Sequence, residues 1–245
     1  MNNLLKMERY QLLHNRMYWL GLLGMILIGL LSAESYVPEA IGPTGGPAAS
    51  LTDIFNAMVY DSTFLLILLC SLLALLLGQE FSCRAISQEV CAGHPRGKIF
   101  AAKVISYLIA FNLLAILYPI AGCVREFSRF GLADAGLFFY NVGKAIFYSL
   151  VANSAQFLIA ILFCCLFQDA IKAMSATAAA TFVLSLYLGY GMMLKLPVGF
   201  LPIFQIRTAV TSADFFLPGV LAICFLWLGG LSALAWQKFC SCDLK

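Results

Sequence analysis

Long uncharged stretches alternate along the chain with short segments that carry its charges. Six stretches contain no Asp, Glu, Lys or Arg, and they cover 17–33, 62–79, 104–124, 145–168, 173–194 and 215–237. Each is close to the ~20 residues that an α-helix needs to cross a bilayer. The pattern predicts an all-α polytopic membrane protein with about six transmembrane helices, forming a single domain over 1–245.

Composition and charge agree with this interpretation. Of the 245 residues, 62% are hydrophobic and only 11% are charged, whereas soluble domains carry roughly a quarter charged residues. With the N-terminus inside, ten Lys and Arg residues fall on inner segments and five on outer segments. Basic residues favour the cytoplasmic side of short loops. We therefore expect a multi-pass protein of the cytoplasmic membrane, embedded in the lipid bilayer with both termini in the cytoplasm, and no binding of nucleic acid.

Two outer connectors have structure of their own. After a cluster of Gly and Pro between Pro38 and Pro47, Ser50 and Asp53 have the spacing of a helix-capping box. Apolar residues with helical spacing follow, which predicts a short outer amphipathic helix. Between spans five and six, 196–206 is uncharged but too short to cross a bilayer. This segment is either re-entrant or an apolar loop packed on neighbouring helices.

Small residues mark two spans as candidates for a subunit interface. They are Gly21 and Gly24 on span one, and Ala176, Ala179 and Ala180 on span five. Small side chains let helix backbones approach closely within lipid. Packing within one subunit is the alternative.

The polar groups inside the spans are amides rather than ionisable groups. Asn112 lies on span three, and Asn153 and Gln156 share a face of span four. They either line a pathway or hydrogen-bond to a neighbouring helix. Ion-coupled transporters usually need ionisable groups at membrane depth. The sequence therefore disfavours direct use of an ion gradient.

Catalytic and nucleotide-binding patterns are missing from the sequence. Both histidines, His14 and His94, map to the cytoplasmic side, and no hydrolase or metalloprotease motif occurs. The stretch 93–98 has only three residues between its glycines, and Ile99 stands where a phosphate-binding loop needs Ser or Thr. We expect no catalytic, cofactor or metal site. A pathway through this protein is then passive, structural or powered by another polypeptide.

The cytoplasmic segment 80–103 carries a resemblance to a known family. Ile86 and Val90 lie one helical turn apart, and Gly93 can end that short helix. The segment resembles the permease subunits of ABC exporters of the ABC-2 type, in which a Glu-Phe pair closes span two and a Lys opens span three. The residues at the family's positions are Glu80, Phe81, Ile86, Gly93, Arg96, Ile99 and Lys103, while Cys83 and Arg84 replace a common Gly-Thr.

This resemblance implies the permease subunit of an ATP-driven exporter for a hydrophobic or amphipathic compound, such as a drug, peptide antibiotic or lipid. A second copy or a sister permease would pair with it, often through spans one and five, above cytoplasmic ABC ATPase subunits. The segment 80–103 would be the ATPase-coupling loop that holds the coupling helix, with Glu80, Phe81, Arg84, Ile86, Val90, Gly93, Arg96 and Lys103 as its candidate residues. We expect Ile86 and Val90 to form an exposed apolar contact for the ATPase. The alternatives are a non-transporting scaffold or sensor-associated membrane protein and, less favoured, an intramembrane enzyme.

Overall fold

The chain is helical throughout the part that a computed structural model describes, which comprises residues 2–38, 46–132 and 134–242. In these residues a short 3₁₀ helix (Ala33–Tyr36) follows the second α-helix. The α-helices are α1 (Asn2–His14), α2 (Arg16–Ser32), α3 (Leu51–Tyr60), α4 (Thr63–Ser82), α5 (Ala85–Cys91), α6 (Arg96–Phe130), α7 (Ala135–Phe167), α8 (Ala170–Met193), α9 (Pro202–Thr211) and α10 (Pro218–Ser241).

Six helices are long and apolar enough to cross a membrane, namely α2 with its 3₁₀ extension, α4, α6, α7, α8 and α10. This confirms the prediction of an all-α, multi-pass membrane protein. The helices α6 and α7, with 35 and 33 residues, extend beyond the predicted spans 104–124 and 145–168. Charged residues such as Arg125 and Glu126 lie inside α6. They end the apolar run, but charged residues do not break a helix. Gly131, with φ 60°, follows the last residue of α6.

Three of the membrane-crossing helices form the centre of the fold. The most apolar part of α4, α6 and α7 is at least half buried, whereas no more than 22% of the corresponding part of α2, α8 and α10 is buried. The outer three each pack on one main neighbour: α2 on α6, α8 on α4, and α10 on α7. Glycines allow two of these contacts. A Cβ at Gly29 of α2 would lie 2.5 Å from the carbonyl oxygen of Tyr118, and one at Gly78 of α4 would lie 2.7 Å from Cα of Ala170.

The two short helices α3 and α9 pack on one another and on α7. At the start of α3, Ser50 Oγ accepts a hydrogen bond from Asp53 N, and Asp53 Oδ2 accepts one from Ser50 N at 3.0 Å. The apolar face of α3 is buried against α6 and α7. The second half of 196–206 is the beginning of α9, which is largely buried among α3, α7 and α10. Residues 39–45, in the predicted turn-rich connector, lie outside the described residues.

Candidate functional site

The segment between α4 and α6 folds into a compact turn around α5. Arg84 has a left-handed conformation with φ 58°, and Gly93 has φ 87° on the other side of α5. A left-handed conformation costs a non-glycine residue about 1 kcal/mol or more. These two turns direct α5 back against both α4 and α6. The segment is therefore part of the packed helix bundle and not a solvated connector.

A buried cluster centred on Lys103 joins four helices at this end of the molecule. Its Nζ donates hydrogen bonds to Glu8 Oε1 of α1 at 2.7 Å and to Glu80 Oε2 of α4 at 2.5 Å. Glu89 Oε1 of α5 lies 3.0 Å from the same nitrogen. One turn further along α6, Tyr107 OH donates to the other oxygen of Glu80 at 2.6 Å. Lys103 is only 4% exposed. We call these five residues the Lys103 cluster.

The Lys103 cluster contains three carboxyl groups and one ammonium group. Glu8 Oε2 and Glu89 Oε2 are buried without a hydrogen-bond partner, and Glu89 Oε1 has only its ion pair with Lys103. Burial raises the pKa of Glu8 and the nearby carboxylates add to the rise, while the ammonium of Lys103 opposes it; together these effects bring the pKa from 4.5 to about 7. Glu8 therefore gains or loses a proton near neutral pH. When the carboxyl group of Glu8 holds a proton, the excess negative charge of the Lys103 cluster is smaller.

Glu8 and Glu89 were absent from the sequence-based site, although the sequence holds a signal for Glu8. Leu4, Glu8 and Leu12 lie one turn apart on α1, and all three are buried. A carboxylate within an apolar helical stripe indicates a buried partner, because an unpaired buried charge is very costly. That the partner is Lys103 depends on how α1 packs on α6, which the stripe alone does not show.

The prediction that Ile86 is exposed is wrong. Ile86 is 1% exposed and belongs to the hydrophobic core of the chain, and Val90 is partly buried against that core. The two residues do share one side of α5, but this side faces α4 and α6. The exposed residues of α5 and its N-cap are Arg84, Gln88 and Cys91. The apolar pair thus anchors α5 within the chain, and the surface of α5 is polar.

The other half of the segment is attached to the end of α10. Arg96 Nη1 donates hydrogen bonds to the carbonyl oxygens of Cys240 at 2.8 Å and of Cys242 at 3.5 Å. A cation there also complements the negative end of the helix dipole. The rings of Phe81 and Phe100 both pack against the ring of Phe239 in α10, and their centroids lie 6.3 Å and 5.3 Å, respectively, from its centroid. The segment therefore contacts the beginning and the end of the chain on one side of the bundle.

The three amides predicted inside the membrane do not form one site. Asn112 Nδ2 donates to Ser154 Oγ of α7 at 2.9 Å, which ties α6 to α7. Asn153 is buried beside a small chamber that Ser149 also lines. Gln156 is buried at 2% exposure and lines neither that chamber nor the groove at Asn112. Asn112 therefore makes the helix-to-helix hydrogen bond that was one of its two interpretations.

The small residues proposed for a subunit interface have different surroundings. A Cβ at Gly21 would lie 2.5 Å from Cδ2 of Leu72, so Gly21 fits α4 of its own chain. Gly24 has open space where a Cβ would lie. On α8, Ala179 is exposed while Ala176 and Ala180 are half-buried. Packing within the chain explains Gly21, and Gly24 and Ala179 remain open to a partner.

Within 2–38, 46–132 and 134–242, no group of three His, Cys, Asp or Glu side chains is arranged to hold a metal ion. No protein-family model matches the chain, and no curated protein matches its sequence. The proposals below therefore rest on the contacts of the residues themselves.

Proposed function

We propose that the chain is the membrane-spanning permease subunit of an ATP-driven exporter, with the segment 80–103 as its contact to a separate ABC ATPase. The observation that carries this proposal is the Lys103 cluster. The ammonium group of Lys103, on α6, is buried, and its nitrogen lies 2.5 to 3.0 Å from carboxylate oxygens on α1, α4 and α5. A displacement of α5 is therefore passed to three helices through packed and charged contacts, as mechanical coupling requires.

The ATPase would contact the polar side of α5. Arg84, Gln88 and Cys91 are exposed and follow one another at helical spacing. Because Ile86 is buried in the chain itself, its role is to transmit movement from α5 to the core. The partner then binds a polar surface, which suits a contact that changes during each cycle of ATP hydrolysis.

The helices α1 and α5 and the end of α10 lie on one side of the bundle, and we use this side to infer the orientation of the chain in the membrane. α1, α5 and the end of α10 lie together, since Lys103 contacts Glu8 and Arg96 contacts Cys240. This side also carries most of the basic residues in the sequence. By the preference of basic residues for the cytoplasm, we infer that it faces the cytoplasm and that the membrane is the cytoplasmic membrane.

A second copy or a sister permease would complete the pathway. Both α2 and α8 contact α4. Gly24 and Ala179 give both helices open small positions on which another helix could pack closely. The cargo would be hydrophobic or amphipathic, because a central chamber and two grooves along α6 and α7 are lined mainly by apolar residues.

Purification of the tagged chain from its native membrane tests the exporter function. We expect a P-loop ATPase to accompany the chain and the complex to hydrolyse ATP. Replacing Gln88 with Trp, which covers the exposed side of α5, should remove most of the bound ATPase while the chain still reaches the membrane. Gln237→Trp, at another exposed position near the end of α10, is the matched control and should keep it. An unchanged amount of ATPase with the Gln88 variant, or no ATPase with the native chain, would contradict the proposal.

A further inference from the structure

A small chamber lies at the centre of the bundle between α2, α3, α4, α6 and α7. It has a volume of about 20 Å³, which is room for one water-sized group. Most of its lining is apolar, but Ser149 and Asn153 reach it from successive turns of α7. The two residues are 6% and 4% exposed. Ser149 Oγ and Asn153 Oδ1 are buried without a hydrogen-bond partner, so the chamber presents two polar atoms that a bound group could satisfy.

Two apolar grooves adjoin this chamber along the seam between α6 and α7. The inner groove, of about 510 Å³, is bordered by α6, α7 and α10, and Ile116 lines both it and the chamber. The outer groove, of about 490 Å³, is bordered by α3, α6 and α7. Phe55 and Ile146 line both the outer groove and the chamber. Each groove therefore adjoins the chamber through apolar lining residues that the two spaces share.

The polarity of these spaces limits what they can bind. No charged side chain is among the described residues that line them, and an ion without a partner is very costly to bury in apolar surroundings. Asn153 Oδ1 can only accept a hydrogen bond, and the hydroxyl of Ser149 can accept or donate one. The complementary group is an uncharged hydrogen-bond donor, that is, a hydroxyl or an amide N–H.

We propose that the α6–α7 seam binds an uncharged amphiphile, which places a hydroxyl or amide N–H in the chamber and its apolar chain in the outer groove. The outer groove shares two lining residues with the chamber and has aromatic walls, including Phe127, Phe138 and Phe139. As a statement about cargo, this inference rests on the exporter function proposed above. It narrows the cargo from hydrophobic compounds in general to uncharged molecules that donate a hydrogen bond.

The test uses the full chain in lipid nanodiscs without an ATPase, and a monoacylglycerol with a photoreactive diazirine in its acyl chain as the probe. We expect saturable labelling of the native chain. Asn153→Leu should raise the half-saturating concentration about tenfold, since one hydrogen bond to a buried group is lost. Gln156→Leu is the matched control, because Gln156 is a buried amide on the same helix that lines none of the three spaces. The methyl ester of the same photoreactive fatty acid, which has no donor, should label the native chain only weakly.

Ser149→Ala tests whether weaker labelling results from a loss of folding. The change removes a hydroxyl that has no hydrogen-bond partner, so the variant should still fold. It should elute as the native chain does in gel filtration and still weaken labelling severalfold. Equal labelling by ester and monoacylglycerol, or unchanged labelling of both variants, would show ordinary lipid contact and overturn the proposal. Absence of saturable labelling would also overturn the proposal, and the chamber would then be a site for a water molecule. Labelling without ATPase binding would refute the exporter function alone, whereas ATPase binding without labelling would refute only the cargo class.

Discussion

Replacement of Lys103 by methionine tests whether the buried cluster holds the segment 80–103 in place. The change leaves Glu8, Glu80 and Glu89 close together without the ammonium that joins them. Removing one partner of a buried ion pair costs about 3 to 5 kcal/mol, which is a large part of the 5 to 15 kcal/mol that is typical of whole domains. The remaining carboxylates can take up protons, so we expect the loss to be larger at about pH 8 than at about pH 5.

The measurement is unfolding by denaturant in mixed lipid and detergent micelles, followed by the fluorescence of the native Trp residues. The matched variant combines Lys103→Met with Glu8→Gln, Glu80→Gln and Glu89→Gln, so that no charge remains in the cluster. It should recover most of the lost stability, because the cost of the single change comes from unpaired charge. If Lys103→Met alone unfolds at the native denaturant concentration at about pH 8, the ion pairs do not stabilise the fold.

Three further predictions concern single positions. Mainly because of burial, the pKa of Glu8 rises from 4.5 to about 7, so between these pH values the folded protein binds a proton that the unfolded chain releases. The free energy of unfolding should therefore fall by up to about 3 kcal/mol as the pH rises through the range between these two pKa values. Glu8→Gln should abolish that slope in unfolding measurements at several pH values, and Glu34→Gln, at an exposed ion pair, should keep it. Gly29→Ala should cost about 1 to 3 kcal/mol because its Cβ would clash with a backbone carbonyl of α6, whereas Gly24→Ala, in open space, should cost nothing in the same assay. Under the proposed pairing with a second permease subunit, Ala179→Leu should weaken association, and an unchanged stoichiometry by native mass spectrometry would exclude α8 from the interface.

The sequence predicted the parts of the fold that depend on local pattern. Apolar runs of membrane length marked the six spans, and the spacing of Ser50 and Asp53 matched a cap that the structure contains. Both signals act within one helix and its solvent. The helices α6 and α7 extend beyond the uncharged stretches, because a charged residue ends an apolar run, while a helix continues to its next cap or breaker.

The candidate site could be predicted only in part, since it depends on contacts between distant segments. Glu80 and Lys103 were identified, but their partner Glu8 lies 95 residues from Lys103 along the chain. Ile86 looked exposed because its sequence neighbours are polar, and nothing local indicates that α5 folds back on α4 and α6. Residues of a short connector are therefore poorly assigned to core or surface until the packing of the helices around them is known.

The bond from Arg96 to the end of α10 has a consequence for the order in which the protein is assembled. The guanidinium and the carbonyl of Cys240 are separated by 144 residues, so three further spans must be synthesised and inserted after α6 before they can meet. Until then Arg96 lacks this acceptor, and the aromatic side chains of Phe81 and Phe100 lack their contact with Phe239. The segment 80–103 thus reaches its final form late in biogenesis, and the proposed ATPase, if it recognises this form, would bind only chains whose membrane insertion is finished.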